Sequence, residues 1–335
     1  MERKARKICI LGAGSWGTAL ATLIGDGADV VLWARTPGLA EAINAQSENR
    51  RYLPGIRLSA NVRATPVMHE ALDGAECVVF AVPSGAMREV AQLAGPLLGN
   101  ARLLVNASKG LEEETGLRMS QVIEEGLGGA DERIAALSGP NLAVEVAQGV
   151  PTASVAAARN EETAQACQLL WMGPTFRVYT SDDLVGVELA GAMKNVIAIG
   201  AGICEGIGFG DNSRAAFMTR GLAEITRLGV ALGARPTTFL GLAGVGDLIA
   251  TGGSRLSRNY RVGIGLGQGK QLQEILQELG QVAEGVPTTR AICCLARQAN
   301  VEMPISEALY SILFEGASVH RTLRALMMRP AKPEV

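Results

Sequence analysis

The sequence predicts an α/β protein in which an N-terminal Rossmann-type dinucleotide-binding domain is followed by an all-α C-terminal domain. Three observations carry this. A short apolar strand, Lys7–Leu11, runs directly into Gly12-Ala13-Gly14-Ser15-Trp16-Gly17 and then into a helical stretch over residues 18–23. Apolar strand-like runs alternate with helical segments up to about residue 180. From Val185 to Met328 the periodicity is helical, with short glycine or proline breaks. The expected division is 1–183 for the dinucleotide-binding domain, 184–328 for a helical substrate domain, and 329–335 for a disordered tail.

Taken in order, the first strand, turn and helix place a glycine motif of the GxGxxG type where dinucleotide binding requires it. Gly12 permits the tight turn, Gly14 lets a pyrophosphate approach the backbone, and Gly17 lets helix and strand pack closely. The second strand, over residues 29–33, should end beside the adenosine ribose. An acidic residue there would suit NAD, but the chain has Ala34-Arg35. Arg35 can make a charge-assisted fork to a 2'-phosphate, so NADPH is favoured and NADH is the second choice. Alternatively, Arg35 is a solvated loop charge.

Three further strands end in polar turns at the carboxyl edge of the sheet, where ligands bind in open α/β folds. Residues 77–82 lead to Pro83-Ser84, and residues 102–107 lead to Ser108-Lys109-Gly110. Residues 134–137 lead to Ser138-Gly139-Pro140-Asn141, with Asn141 competent to cap the next helix. Lys109 reads equally well as a ligand and as a surface lysine. Residues 151–156 and 175–179 read as closing strands around a helix at 163–170.

The helical half opens with residues 187–199, whose apolar positions fall at three-and-four spacing and enclose Lys194-Asn195. A lysine in such a run either reaches solvent along the helix edge or is paired with a lowered pKa, and the latter suits proton transfer. A loop over residues 206–212 precedes a long helix at 213–232. Next, Asp247 follows the glycine-rich turn 241–246, where its carboxylate could approach Lys194. Ser257-Arg258-Asn259 offers a hydroxyl, a guanidinium and an amide at a helix start, either as a phosphate cradle or as a serine N-cap with two solvated neighbours.

Composition narrows the classes. The 335 residues allow two cores, and a net charge of −2 without any basic run excludes a broad nucleic-acid footprint. The N-terminus is charged and its apolar run short, which does not fit a signal peptide. Glu188 and Lys194 interrupt the most apolar helix, so no membrane span is expected and the protein should be soluble and cytoplasmic. Cys9, Cys77, Cys167, Cys204, Cys293 and Cys294 lack paired spacing, and His69 and His320 are isolated, which leaves neither disulfide nor metal site expected. The helical half has enough apolar surface for a homodimer interface, with no stretch marking the contact face.

Together, Gly12–Gly17, Lys109-Gly110, the Ser138-to-Ala143 turn, the lysine-asparagine helix, the Asp211-to-Gly221 region, the Gly241-to-Asp247 turn and Ser257-Arg258-Asn259 resemble the NAD(P)-dependent glycerol-3-phosphate dehydrogenases of bacteria, in order and spacing over nearly the whole chain. The resemblance implies reversible reduction of dihydroxyacetone phosphate to sn-glycerol 3-phosphate, which supplies the backbone for phospholipid synthesis. It implies cofactor contacts at Ser15, Trp16, Arg35, Lys109, Ala143, Arg258, Val282 and Glu284. It implies substrate contacts at Lys109, Gly139, Asn141, Lys194, Asp247, Ser257, Arg258 and Asn259. Lys194 then exchanges the proton, with Asp247 and Asn195 orienting it. Asn141 stands where the family often has serine or threonine, and Thr251-Gly252-Gly253-Ser254 replaces a more usual Thr-Cys-Thr start. Two alternatives are a related lysine-based β-hydroxyacid dehydrogenase or ketopantoate-type reductase, and a non-catalytic NADP-binding sensor.

Overall fold

A computed structural model describes residues 7–24, 27–331 and 333–334. Residues 1–6, Gly25, Asp26, Lys332 and Val335 lie outside the described residues, and with them the reading of the extreme N-terminus and part of the reading of the tail.

Eight strands form one sheet: β1 (Lys7–Leu11), β2 (Asp29–Trp33), β3 (Val62–Thr65), β4 (Cys77–Phe80), β5 (Leu103–Asn106), β6 (Ile134–Ser138), β7 (Thr152–Ala158) and β8 (Phe176–Ser181). Their order is β3-β2-β1-β4-β5-β6-β7-β8. The order reverses between β1 and β4, which puts a crevice at the carboxyl ends of these two strands, beside the glycine motif. The inner strands β4, β5 and β6 are buried along their whole length, as a sheet covered on both faces requires.

Two features of the sheet lie outside the sequence reading. β3 has no counterpart in it, because Val-Arg-Ala-Thr carries no apolar run and serves only as the edge strand beside β2. The sheet is also not purely parallel, since β7 runs antiparallel to β6. The link between them, residues 139–151, holds only the five-residue helix Ala143–Ala147.

Among the described residues no strand follows Ser181, and the rest is helical. The central helix, Leu184–Gly206, begins on Asp183, whose side chain accepts from the Gly186 amide at 2.9 Å. It lies at the middle of a separate apolar core that includes Val187, Leu189, Met193, Val196 and Ile197, with Ile225, Leu228, Phe239 and Ile292 from surrounding helices.

Contrary to the sequence reading, this helix is long and apolar enough to cross a membrane by length and composition. However, 94% of its most apolar window is buried inside the protein. That burial accounts for its hydropathy as core packing.

The second half of the central helix crosses the helix Arg258–Gly267 through glycines. A Cβ on Gly267 would stand 2.7 Å from the Ile203 carbonyl oxygen, and one on Gly202, Gly206 or Gly263 would come closer still to the facing backbone. The two backbones therefore touch, and the start of the second helix is carried to the neighbourhood of Lys194 and Asn195.

Candidate active site

The glycine loop has the shape its sequence implies. Gly12 has φ +121, and a Cβ on it would meet the Ala81 carbonyl oxygen at 2.7 Å. A Cβ on Gly17 would strike the Gly12 carbonyl, whereas Gly14 faces open space. Gly14 is also the N-cap of the helix Ser15–Leu23 and makes no side-chain cap, so the first-turn N–H groups stay open to an anion. The Trp16 indole nitrogen is buried and has no partner among the described residues. These features fit a dinucleotide pyrophosphate. Ser15 Oγ donates to the Tyr52 carbonyl at 2.6 Å, and Ala143 opens the short helix that packs on the glycine-motif helix. Arg35 follows β2 in an exposed position and makes no ion pair among the described residues.

Across the crevice, Lys194 is buried, with 5% exposure, and does not reach solvent. Its Nζ lies 3.0 Å from Asp247 Oδ1 and donates to Thr251 Oγ1 at 2.5 Å, and Thr251 Oγ1 donates to Asp247 Oδ1 at 2.9 Å. The other carboxylate oxygen of Asp247 accepts from Lys109 Nζ at 2.8 Å, and Lys109 also donates to the Gly139 carbonyl at 2.6 Å. One buried carboxylate thus holds two lysines from different halves of the chain. Desolvation, with help from the charges of Lys109 and Arg258, lowers the Lys194 pKa to about 8 against the opposing pull of Asp247. For Asp247, desolvation acts upward but the two ammonium groups outweigh it, so its pKa is lowered and it remains a carboxylate.

Thr251 is the residue that sequence reasoning missed. The sequence suggests the start of an altered loop there, yet Thr251 lies on the helix Asp247–Gly252, four residues after Asp247 and on the same face. That spacing was the available signal.

Asn195 does not orient Lys194. One residue further along a helix points about 100° away, and its Oδ1 accepts from Asn259 Nδ2 at 2.8 Å. Asn259 Oδ1 in turn accepts from the Gly285 amide at 2.9 Å, which leaves Asn259 one amide hydrogen for a ligand. Ser257 is the N-cap, accepting from the Tyr260 amide at 3.2 Å, and its hydroxyl proton stays available. Its neighbours are not both solvated: Asn259 is buried, while Arg258 is exposed to the crevice in surroundings that lower its pKa by desolvation against the charge of Glu284.

Asn141 does not cap the following helix, whose N-cap is Leu142. Its amide donates to Ser154 Oγ at 3.0 Å, and its buried Oδ1 has no partner among the described residues. Glu284 reaches across the crevice, and its carboxylate accepts from the Ser84 amide at 3.0 Å and from Ser84 Oγ. Burial raises the Glu284 pKa. Val282 is exposed two residues earlier. Among the described residues, no group of three or more His, Cys, Asp or Glu side chains is placed so that it could hold a metal ion. Cys294 is exposed, whereas the other five cysteines are buried and free.

A dinucleotide-type sheet joined to an all-helical domain, with a buried lysine–carboxylate–lysine group at the joint, defines a two-domain nucleotide-dependent dehydrogenase. The family model for the N-terminus of NAD-dependent glycerol-3-phosphate dehydrogenase matches residues 7–164, and the model for its C-terminus matches residues 183–324. The chain belongs to the NAD-dependent glycerol-3-phosphate dehydrogenase family.

A relative from Moorella thermoacetica named glycerol-3-phosphate dehydrogenase [NAD(P)+] is 52% identical over 330 residues, covering 98% of this chain and 97% of its own length. The crystal structure of glycerol-3-phosphate dehydrogenase from Coxiella burnetii aligns with a TM-score of 0.92 at 37% identity, covering 97% of this chain and 99% of that one. A ketopantoate reductase from Ralstonia eutropha shares the fold, with a TM-score of 0.60 at 18% identity over 92% of this chain and 97% of that one.

Proposed function

We propose that the protein catalyses reversible reduction of dihydroxyacetone phosphate to sn-glycerol 3-phosphate, with NADPH preferred and NADH accepted. The observation that carries this reading is Lys194, buried and ion-paired with the same carboxylate that holds Lys109. When bound, the reduced nicotinamide supplies a hydride to the carbonyl carbon. Lys194 gives its proton to the ketone oxygen, and in the reverse direction takes one from the alcohol. Asp247 and Thr251 orient its ammonium group, and Lys109 links the cofactor side of the crevice to the substrate.

Lys109, Lys194 and Arg258 outnumber the carboxylates Asp247 and Glu284 that face them, and the excess of positive charge suits a phosphate group. Ser257, Arg258 and the free amide hydrogen of Asn259 hold that phosphate, and Gly139 and Asn141 line the approach. Phosphate binding away from the reacting carbon supplies the positioning energy.

On the cofactor side we assign the Gly12, Gly14 and Gly17 turn, with Ser15, Trp16 and Ala143, to the pyrophosphate end, Arg35 to the 2'-phosphate, and Val282 and Glu284 to cofactor contacts from the helical half. A division at 183/184 fits this reading, because Asp183 caps the helix that carries Lys194. A cytoplasmic location and a homodimer complete it, the latter supported by exposed Leu240, Ile249 and Leu256.

The test is NADPH oxidation followed at the nicotinamide absorbance band, with dihydroxyacetone phosphate and ketopantoate compared. Turnover with the phosphorylated ketone and none with ketopantoate is expected. The reverse outcome would assign the site to a carboxylate substrate, and silence with both would leave a binding protein.

A further inference from the structure

We propose that Glu188 is a positioning residue for the reaction, its carboxylate closing the chain excursion 106–120 at both ends and so holding Lys109 against Asp247. This rests on the roles proposed above for Lys194 and Lys109.

Through most of its length the central helix buries only three polar side chains, Glu188, Lys194 and Asn195. Each contacts a different segment that bears site groups. Lys194 meets Asp247 and Thr251, and Asn195 meets Asn259. Glu188 meets the segment carrying Lys109. Its Oε1 accepts from Asn106 Nδ2 at 2.9 Å, where β5 ends, and from the Ser120 amide at 2.8 Å, where the next helix begins. Its Oε2 accepts from Arg118 Nη1 at 2.5 Å and from Ser120 Oγ at 2.6 Å. Between those anchors the chain forms a small hairpin, with Leu111 bridged to Arg118 and the Glu112 amide donating to the Leu117 carbonyl at 3.0 Å. Lys109 stands three residues past the first anchor, on the rising arm.

Stability alone is a poor explanation for this carboxylate. A buried ion pair roughly balances its own desolvation, and apolar side chains of similar volume would serve the core as well. A carboxylate accepting four hydrogen bonds from two chain ends does what an apolar residue cannot, since it fixes their separation and direction. With that separation fixed, Lys109 Nζ stays within reach of Asp247 and Gly139.

The charges facing Lys194 are Asp247, Lys109 and Arg258. If the Lys109 arm drifts away, Lys194 loses a repelling neighbour and takes a larger share of Asp247. The alkaline break in its activity then moves upward, a change that simple loss of stability does not produce.

The experiment compares wild type with Glu188→Gln and Ser120→Ala in the full chain, measuring kcat against pH, NADPH affinity by fluorescence titration, and Tm. Glutamine keeps one acceptor oxygen and faces the remaining donors with an amide. The expected result for Glu188→Gln is a kcat roughly 10- to 100-fold lower, with NADPH affinity close to wild type and the alkaline break shifted up. Ser120→Ala, which removes one donor and leaves the ion pair, should shift both readouts the same way by less, and it decides the question if Glu188→Gln does not fold. A lower Tm with wild-type kcat and an unmoved break would overturn the proposal. That result beside an inactive Lys194→Ala removes Glu188 alone, whereas a fully active Lys194→Ala removes the reading of the whole site.

Discussion

The two halves of the central helix solve different problems. The first half is keyed to its neighbours by Glu188, Lys194 and Asn195, each committed to hydrogen bonds with a separate segment. The second half is keyed by Gly202 and Gly206, which let the backbone of the helix Arg258–Gly267 lie directly against it. Polar side chains hold charge and direction, and missing side chains set distance. The candidate site needs both, because Ser257 to Asn259 reach Lys194 only if the glycine crossing is tight, and Lys194 is poised only if its carboxylate is shared.

Substitutions separate the two halves. The largest effect should come from the polar half. Lys194→Ala should lower kcat by about 10²–10⁴-fold, while NADPH affinity and Tm stay near wild type because Asp247 keeps Lys109. A parallel loss of cofactor affinity would make Lys194 structural instead. In the glycine half, Gly263→Ala drives a Cβ into the Ile199 carbonyl. This should cost about 1–3 kcal/mol and lower Tm by on the order of 5 °C, and KM for the phosphorylated substrate should rise as the 258–267 helix is pushed off. An unchanged Tm would mean the crossing is looser than described.

Outside the helix, Arg35→Ala should raise KM for NADPH by roughly 10-fold through loss of a charge-assisted pair and leave KM for NADH alone. Equal changes for both cofactors would remove the 2'-phosphate assignment. The smallest effect belongs to Ser257→Ala, which loses a helix cap worth about 1 kcal/mol. A rise in substrate KM beyond that loss of stability would separate the phosphate cradle from the bland cap.

Legibility in the sequence followed contact order. The glycine motif and its helix were readable because Gly12, Gly14 and Gly17 act within six residues of one another, and a lysine inside an apolar helix announces itself. The glycine-rich turn before Asp247 points to its approach to Lys194, whereas the glycines after Thr251 suggest a loop where the helix continues. Asn195 was assigned by adjacency in sequence, but adjacency on a helix separates directions. The reversal at β7, the bond from Glu284 to Ser84 and the clasp of Glu188 on residues 106–120 join positions whose pairing only the folded chain defines. Glu188 was visible as a charge in an apolar run, and its partners were not.

The proton held on Lys194 is best examined through the dependence of kcat for reduction on pH, from 6 to 10. Lys194 must carry its proton to donate it, and its pKa lies at about 8. The rate should therefore be level below that value and fall about tenfold per pH unit above it, with the opposite limb in the oxidation direction. A profile flat across this range, or an alkaline break that survives unchanged in Lys194→Ala, would contradict the assignment.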